Sequence, residues 1–290
     1  MRVLLASDGS SGSRRATRWL GELAPTVDMK ISVLTVATLT KPPSESQTMS
    51  QLRESVIAKA HETAEAAATI LSPRSTDVQA LVTEGDPRVE IVRAAEEMPT
   101  DMIALGARGL GRLKGFLIGS TSLAAARYAP CPVAIVRGRP RPVRHALIAV
   151  DGSDGARAAL RFLSLFDLLR DSRVSLLHVL QQPKVFGHRR SIASLPDQAT
   201  GEEFSKQRAD AERILEDATA VLGTLKSPVE RLLVGGDPAR QIVSTARSRR
   251  VDLVVLGARG LRTIGRLLLG SVSETVLHHV SRPVVIVRER

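Results

Sequence analysis

The chain contains a single cysteine, Cys131. One thiol excludes an intrachain disulfide framework and fits a reducing compartment, so the cytoplasm is the expected location. Aromatic residues make up only 2% of the sequence, which leaves almost no platform for stacking single-stranded bases. No uninterrupted apolar run approaches the roughly 18–20 residues needed to span a bilayer, so no membrane is expected. The amino-terminal apolar run is broken by Asp8 and reads as a first strand rather than a leader. Lysine is scarce: of 41 basic residues, 7 are Lys and 34 are Arg, spread along the whole chain instead of in blocks. The net charge of +11 therefore reads as a solvated arginine-rich surface, and nucleic acid is not an expected partner.

Two phosphate-binding signatures are also missing. No Gly-x-x-x-x-Gly-Lys-[Ser/Thr] occurs, and Gly109-Leu-Gly111 lacks the third glycine of a dinucleotide fingerprint, Lys114 standing in its place. His278 and His279 are adjacent, face different sides of a helix and make a poor metal pair. Cys131, next to Pro132 with no base in view, reads as a small buried hydrophobe, and Trp19 as core or interface packing.

What is present is a repeat. Gly106-Ala-Arg-Gly109, nine residues, then Gly119-Ser120-Thr121 recurs 151 positions later as Gly257-Ala-Arg-Gly260, nine residues, then Gly270-Ser271-Val272. Glycine lets backbone approach a bulky ligand because no Cβ intervenes. A Ser that opens an Ala/Leu-rich helical run puts a hydroxyl and free backbone N–H groups at a helix N-terminus, where phosphate is attracted. Asp8-Gly-Ser10 pairs with Asp151-Gly-Ser153, Gly85-Asp-Pro87 with Gly236-Asp-Pro238, and Pro-Val-Ala-Ile-Val-Arg137 with Pro-Val-Val-Ile-Val-Arg288. A repeat of this length is a whole domain rather than a solenoid unit of about 20–50 residues. The expected domains are 1–138 and 144–290, joined by a stiff Gly/Pro/Arg linker over 138–144.

Apolar runs at 3–6, 31–36, 78–82, 102–105 and 133–136 read as strands, with helices at 13–23, 52–71, 89–97 and 121–128 between them. The second half repeats this, with strands at 147–150, 174–180, 230–234, 253–256 and 284–287 and helices at 157–169, 203–222, 239–247 and 273–279. Continuous apolar strands separated by helices predict an α/β fold: two tandem doubly wound parallel sheets covered on both faces. Segments 41–50 and 181–201 read as loops. The second, with Phe186, His188, Arg189 and Arg190, reads either as a cover for a site or as a disordered insertion.

In a doubly wound sheet, ligands sit beyond the carboxyl ends of the strands where strand order reverses. Asp8 ends strand 1 and Gly106 ends strand 4, so residues nearly a hundred apart converge on one pocket; Asp151 and Gly257 do likewise. Each Asp reads either as a ligand residue, through Mg²⁺ or toward a sugar, or as the N-cap of the following helix.

Together these residues resemble the universal stress protein family in its tandem form, over essentially the whole chain. The family's ATP pattern is Gly, two residues, Gly, nine residues, Gly, then Ser or Thr; it is met by Gly106, Gly109, Gly119 and Ser120, and by Gly257, Gly260, Gly270 and Ser271. The resemblance implies five-stranded sheets of order 3-2-1-4-5. It also implies ATP at two sites per chain, with Mg²⁺ carried by the phosphates. The nucleoside would meet Ala6 and Asp8, or Ala149 and Asp151, and backbone near Val36 and Val179 would face adenine. Thr121 and Val272 would complete the phosphate loops. Arg108 and Arg259 hold positions that either reach phosphate or face solvent. The last strands of the two halves would pair within the chain as a pseudo-dimer, with a homodimer and an unidentified protein partner left open. The function implied is an ATP-binding stress regulator or sensor. A slow ATPase and a ligand-independent interaction protein are the alternatives. No residue resembles a general base poised for γ-phosphate attack.

Overall fold

The computed structural model describes residues 1–23, 27–39, 48–73, 75, 77–109, 118–166, 168–169, 172–181, 197–223, 228–260 and 269–288, with 197–203 described by backbone alone. In the first half, β1 (Arg2–Ala6), α1 (Ser11–Leu23), β2 (Lys30–Ala37), α2 (Met49–Leu71), β3 (Asp77–Glu84), α3 (Pro87–Glu97), β4 (Met102–Gly106), α4 (Ser120–Tyr128) and β5 (Val133–Val136) follow one another. The second half repeats the order with β6 (His145–Ala149), α5 (Asp154–Leu165), β7 (Arg173–Leu180), α6 (Asp197–Val221), β8 (Val229–Gly235), α7 (Pro238–Ser248), β9 (Leu253–Gly257), α8 (Ser271–His279) and β10 (Val284–Val287).

The two halves share one ten-stranded sheet, ordered β3-β2-β1-β4-β5-β10-β9-β6-β7-β8. Each half has the expected 3-2-1-4-5 order, with β1 parallel to both β2 and β4, and β6 parallel to both β7 and β9. The halves meet where β5 runs antiparallel to β10, Ile135 opposite Val284 and Val133 opposite Ile286. Val133-Ala-Ile-Val136 and Val284-Val-Ile-Val287 are buried along their whole length, and either would be an association hazard as a free edge.

Strand alternation divides the core into two layers. Val3, Leu5, Met102 and Ala104 point toward α1 and α2, and the same layer continues under α5 and α6. Leu4, Ile103 and Leu105 point the other way, toward α3 and α4, and that layer continues under α7 and α8. Trp19 lies in the first layer, fully buried, so its role is core packing. Cys131 is buried in the second.

Most helices begin earlier than apolar periodicity predicts, because their first turns are polar and carry the capping groups. Thr48 and Gln51 form a reciprocal capping box that opens α2 at Met49. Asp86 and Asp237 cap α3 and α7, each followed by Pro at the first helical position. The predicted helix at 157–169 stops at Leu165; Leu168 and Leu169 are buried from a turn, which mimics continued helical periodicity. The loop readings also change. Residues 49–50 belong to α2 and 197–201 to α6, while 40–47 and 182–196, with Phe186, His188, Arg189 and Arg190, lie outside the described residues. Among the described residues no helix is long and apolar enough to cross a membrane.

Candidate functional site

Beyond β1 the ladder continues for one residue, the Ser7 N–H donating to Leu34 O at 2.9 Å, before the chain turns. Gly9 adopts φ +72°, a left-handed conformation that favours glycine. The Asp8 carboxylate accepts from the Ser10 N–H at 3.0 Å, and the Ser10 hydroxyl accepts from the Ser13 N–H at 3.1 Å. The second half matches: Ser153 N–H to Asp151 at 3.0 Å, Ala156 N–H to Ser153 Oγ at 3.2 Å, and Gly152 at φ +79°. The helix cap is thus the serine, not the aspartate. Each Asp instead holds the turn and turns its other oxygen toward the glycine loop. A Cβ on Gly109 would lie 2.3 Å from Asp8 Oδ2, and one on Gly260 would lie 2.4 Å from Asp151 Oδ2. The expected convergence of strand-1 aspartate and strand-4 loop is present in both halves.

The first glycine of each loop also has a packing role. A Cβ on Gly106 would lie 2.3 Å from the carbonyl carbon of Gly12, and a Cβ on Gly12 would lie 1.9 Å from Arg108 O. The first turn of α1 therefore packs backbone to backbone on the end of β4, and the side of Gly106 where a Cβ would stand is filled by that helix. Gly257 and Gly155 repeat the contact at 2.6 Å. The far end of each loop is pinned to the same strand end. Gly119 N–H donates to Ala107 O and Gly270 N–H to Ala258 O, both at 2.8 Å; the hydroxyls of Ser122 and Ser273 donate to Gly106 O and Gly257 O, also at 2.8 Å. Residues 110–117 and 261–268 lie outside the described residues.

The two loops deliver helices with unusual starts. Side chains cap α2, α3, α5 and α7. In contrast, α4 opens at Gly119 and α8 at Gly270, neither with a side-chain cap hydrogen bond. Ser120 and Thr121, and Ser271 and Val272, form the first turns whose N–H groups and positive dipole end are left for an incoming acceptor.

In the second half these parts line one cleft of about 1270 Å³. Ala149, Asp151, Val179, Gly257, Arg259, Gly260, Gly270, Ser271 and Val272 all face it. In the first half, Ala6 is buried at the end of β1 beside Leu105, and Val36 is half-buried near the end of β2. Arg108 and Thr121 are half-buried, and Ser120 is exposed.

His178 lines the cleft as well and was not singled out from the sequence. A polar residue inside the apolar run of β7 was its available signal. Its Nδ1 lies 2.9 Å from Val150 O, and burial pulls its pKa below the usual histidine value. A carbonyl can only accept, so Nδ1 carries the hydrogen and Nε2 of the neutral ring is an acceptor. Gln207, Asp210 and Arg240 close the rim from α6 and α7. Among the described residues no group of three His, Cys, Asp or Glu side chains could hold a metal ion by itself. The cleft offers backbone donors and Arg259 at one end, acceptors at Asp151 and His178, and apolar walls at Leu177 and Val179. That arrangement suits an elongated molecule with an anionic head and a polar, partly flat tail.

The universal stress protein family model matches residues 1–137 and again 142–288. A universal stress protein of Mycobacterium tuberculosis is 34% identical over 209 residues, covering 69% of this chain and 64% of that relative. The alignment thus spans less than two thirds of that relative's length. A second universal stress protein from the same species is 31% identical over 227 residues, covering 73% of this chain and 72% of the relative. The crystal structure of a universal stress protein from Archaeoglobus fulgidus shares the fold, with a TM-score of 0.70 at 24% identity over 99% of this chain and 98% of that one.

Proposed function

The chain belongs to the universal stress protein family, and on that premise we propose that it binds ATP at two sites and acts as a nucleotide-dependent regulator of a stress response. One observation carries the reading. In both halves a strand-end Asp touches a glycine loop that ends in a helix start without a side-chain cap. Among the described helix starts with no such loop, α1, α2, α3, α5 and α7 are capped by their own Ser, Thr or Asp. The phosphates would lie on the N–H groups of Ser120–Thr121 and Ser271–Val272, near Arg108 and Arg259. The nucleoside would lie toward Asp8 with Ala6 and Val36, or toward Asp151 with Ala149 and Val179. Two domains, 1–138 and 144–290, would each carry one site.

The donor set fits this ligand. The cleft volume exceeds what a nucleotide needs. Mg²⁺ normally takes one or two carboxylates plus substrate phosphates, so a single Asp per site suits a phosphate-borne ion and not a free-standing metal centre. Asp151, which accepts from Ser153 N–H, and His178, which donates to Val150 O, are held in fixed orientations at the cleft, and the rate of phosphate release decides between a sensor and an ATPase.

Titration calorimetry with ATP and Mg²⁺ tests the proposal. The expected stoichiometry is close to two per chain, with phosphate release far slower than the common enzyme range of about 1–10³ s⁻¹. Absence of binding defeats the reading, and rapid release replaces the regulator with an ATPase.

A further inference from the structure

The antiparallel β5–β10 junction has a consequence for the sites on either side of it. Because the strands run in opposite directions, the carboxyl end of each lies beside the segment that leads into the other. That segment follows a phosphate-loop helix: Val280–Pro283 follows α8, and Ala129–Pro132 follows α4. The approach is close, since a Cβ on Gly138, which sits at φ +71°, would lie 2.7 Å from Ser281 O.

An arginine stands at each crossing. Arg137, just past β5, donates through Nη1 to His278 O at 3.1 Å and to Val280 O at 3.4 Å, both at the C-terminus of α8. Arg288, just past β10, donates through Nη2 to Ala126 O at 2.9 Å and to Arg127 O, in the last turn of α4. Each cation meets the negative end of a helix dipole and satisfies carbonyls that have no partner within the helix. Burial, with Arg108 adding, pulls Arg137 down to about 10, and burial, with Arg259 adding, also lowers Arg288. At neutral pH both still carry their charge. A second tie links the helices directly: Arg127 near the end of α4 pairs with Glu274 in the first turn of α8 at 2.7 Å.

We propose that Arg137 and Arg288 are positioning residues that act across the junction, Arg137 setting the phosphate-binding start of α8 in the second site and Arg288 that of α4 in the first. Each helix is nine residues long, roughly 13 Å of rigid hydrogen-bonded rod. A displacement at its clamped end is therefore carried to the N–H groups at the other. Neither arginine would touch ligand in the site it positions. Each lies next to the loop of its own half, at Arg108 or Arg259, yet the predicted loss falls on the opposite site. The proposal rests on the two-site nucleotide reading given above.

The test uses the full chain with one site disabled at a time. Gly260→Leu, which drives a side chain into Asp151, leaves the first site; Gly109→Leu leaves the second. ATP affinity is then measured by calorimetry at low and high salt. With only the second site active, Arg137→Met is expected to weaken ATP about tenfold, the scale of one charge-assisted hydrogen bond, while Arg288→Met changes it less than about twofold. With only the first site active the pattern reverses. The crossed loss persists at high salt, where a direct effect of charge on the neighbouring loop is screened. Affinity for adenosine, which has no phosphate, stays unchanged. Arg137→Lys and Arg288→Lys keep the charge but lose the forked geometry, and serve if the methionine variants unfold; they are expected to show the same crossed pattern at reduced size. Loss in the arginine's own half, equal loss in both sites, or no loss in either overturns the inference. If neither single-site chain binds ATP while the wild-type chain does, the site assignment fails with it; absence of binding by the wild-type chain defeats the nucleotide reading itself.

Discussion

At matched positions the two halves keep the same turn and differ in what surrounds it. Where the second half places His178 on its cleft, the first half has Thr35, buried and with no hydrogen bond to its hydroxyl. Gln207 and Asp210 on α6 correspond to Val56 and Lys59 on α2, and Arg240 on α7 to Val89 on α3. The start of the first strand differs too. Arg2 engages Asp101 through its guanidinium and its own N–H. In the second half Asp252 takes the N–H groups of Arg144 and His145 and the side chain of Arg141. In the core, Phe162 replaces Trp19 and meets Phe166 edge to face at 5.3 Å. Duplication has held constant the parts that are geometrically unforgiving, namely Asp, the turn glycines and the capping serine. The walls around them have drifted.

The largest expected effect tests the part that is shared. Gly106→Val forces a side chain into the backbone of Gly12 and is expected to destabilise the first half on the order of 3 kcal/mol or more. Gly257→Val, with 2.6 Å where Gly106 has 2.3 Å, is expected to cost somewhat less. Chemical denaturation followed by halves-resolved hydrogen exchange measures both. Native-like stability in Gly106→Val would refute the packing role.

Next in size is a capping experiment at Gly119, which has φ −71° and so accepts any residue. A Cβ there meets Ala107 O at 3.3 Å, tight but tolerable. Gly119→Asp supplies the missing cap and a negative charge. It should leave the free protein as stable as before and weaken ATP at the first site at least about tenfold, since the carboxylate takes the same N–H groups and repels phosphate. Retained affinity at that site would remove α4 from the phosphate site.

Acid should separate the halves more gently. Burial lowers the pKa of His145, His178 and His278, all in the second half; the first half's one histidine, His61, is exposed on α2. A histidine with a depressed folded pKa binds more protons when unfolded. Stability is therefore full above about 6.5 and falls as pH drops through that value toward the folded pKa. In the first half, burial raises Asp101, but hydrogen bonds from Arg2 outweigh it and hold the carboxyl below its ordinary value. Its contribution is present above the unfolded carboxylate value and is lost only as pH falls through the lower folded one. Hydrogen exchange between pH 7.5 and 5 is expected to show loosening of β6–β8 before β1–β3. The reverse order would contradict the assignment.

The smallest effect is at the duplicated aromatic position. The Trp19 indole N–H is buried with no hydrogen bond. Trp19→Phe copies the second half, removes that donor and leaves a small void, so the two terms offset and the net change should stay within about 1 kcal/mol by denaturant titration. A loss beyond about 3 kcal/mol would mean that the ring volume dominates.

Much of this was legible in the residues. The repeated apolar runs gave the ten strands to within a few residues, because inner strands such as β4, β5, β9 and β10 are buried along their length and apolar throughout, while the edge strands β3 and β8 keep shorter apolar runs. The pairing of Asp8 with the Gly106 loop followed from strand-end geometry. Helix starts were missed by one to six residues, since a capped first turn is polar and carries no periodic signal. Leu168 and Leu169 extended a helix that had already ended. His178 gives little signal because one polar residue in a strand does not announce which face it takes, and the packing of Gly106 on Gly12 is invisible locally because the two stand 94 positions apart in the chain.

The sequence alone determined the duplicated α/β architecture, the family and the residues that repeat, because periodicity, turn chemistry and loop spacing are encoded within short stretches of chain. Only the tertiary structure decided that α1 seats on bare backbone at Gly106 and that serine, not aspartate, caps it. The same is true of His178 facing the cleft and of Arg137 and Arg288 gripping the C-terminal ends of α8 and α4 in the other half. The serine cap is a contact three residues apart that the local motif leaves open between Asp and Ser; the others depend on segments far apart in the chain, brought together by sheet order and by the antiparallel junction of β5 with β10, and no local pattern carries that information.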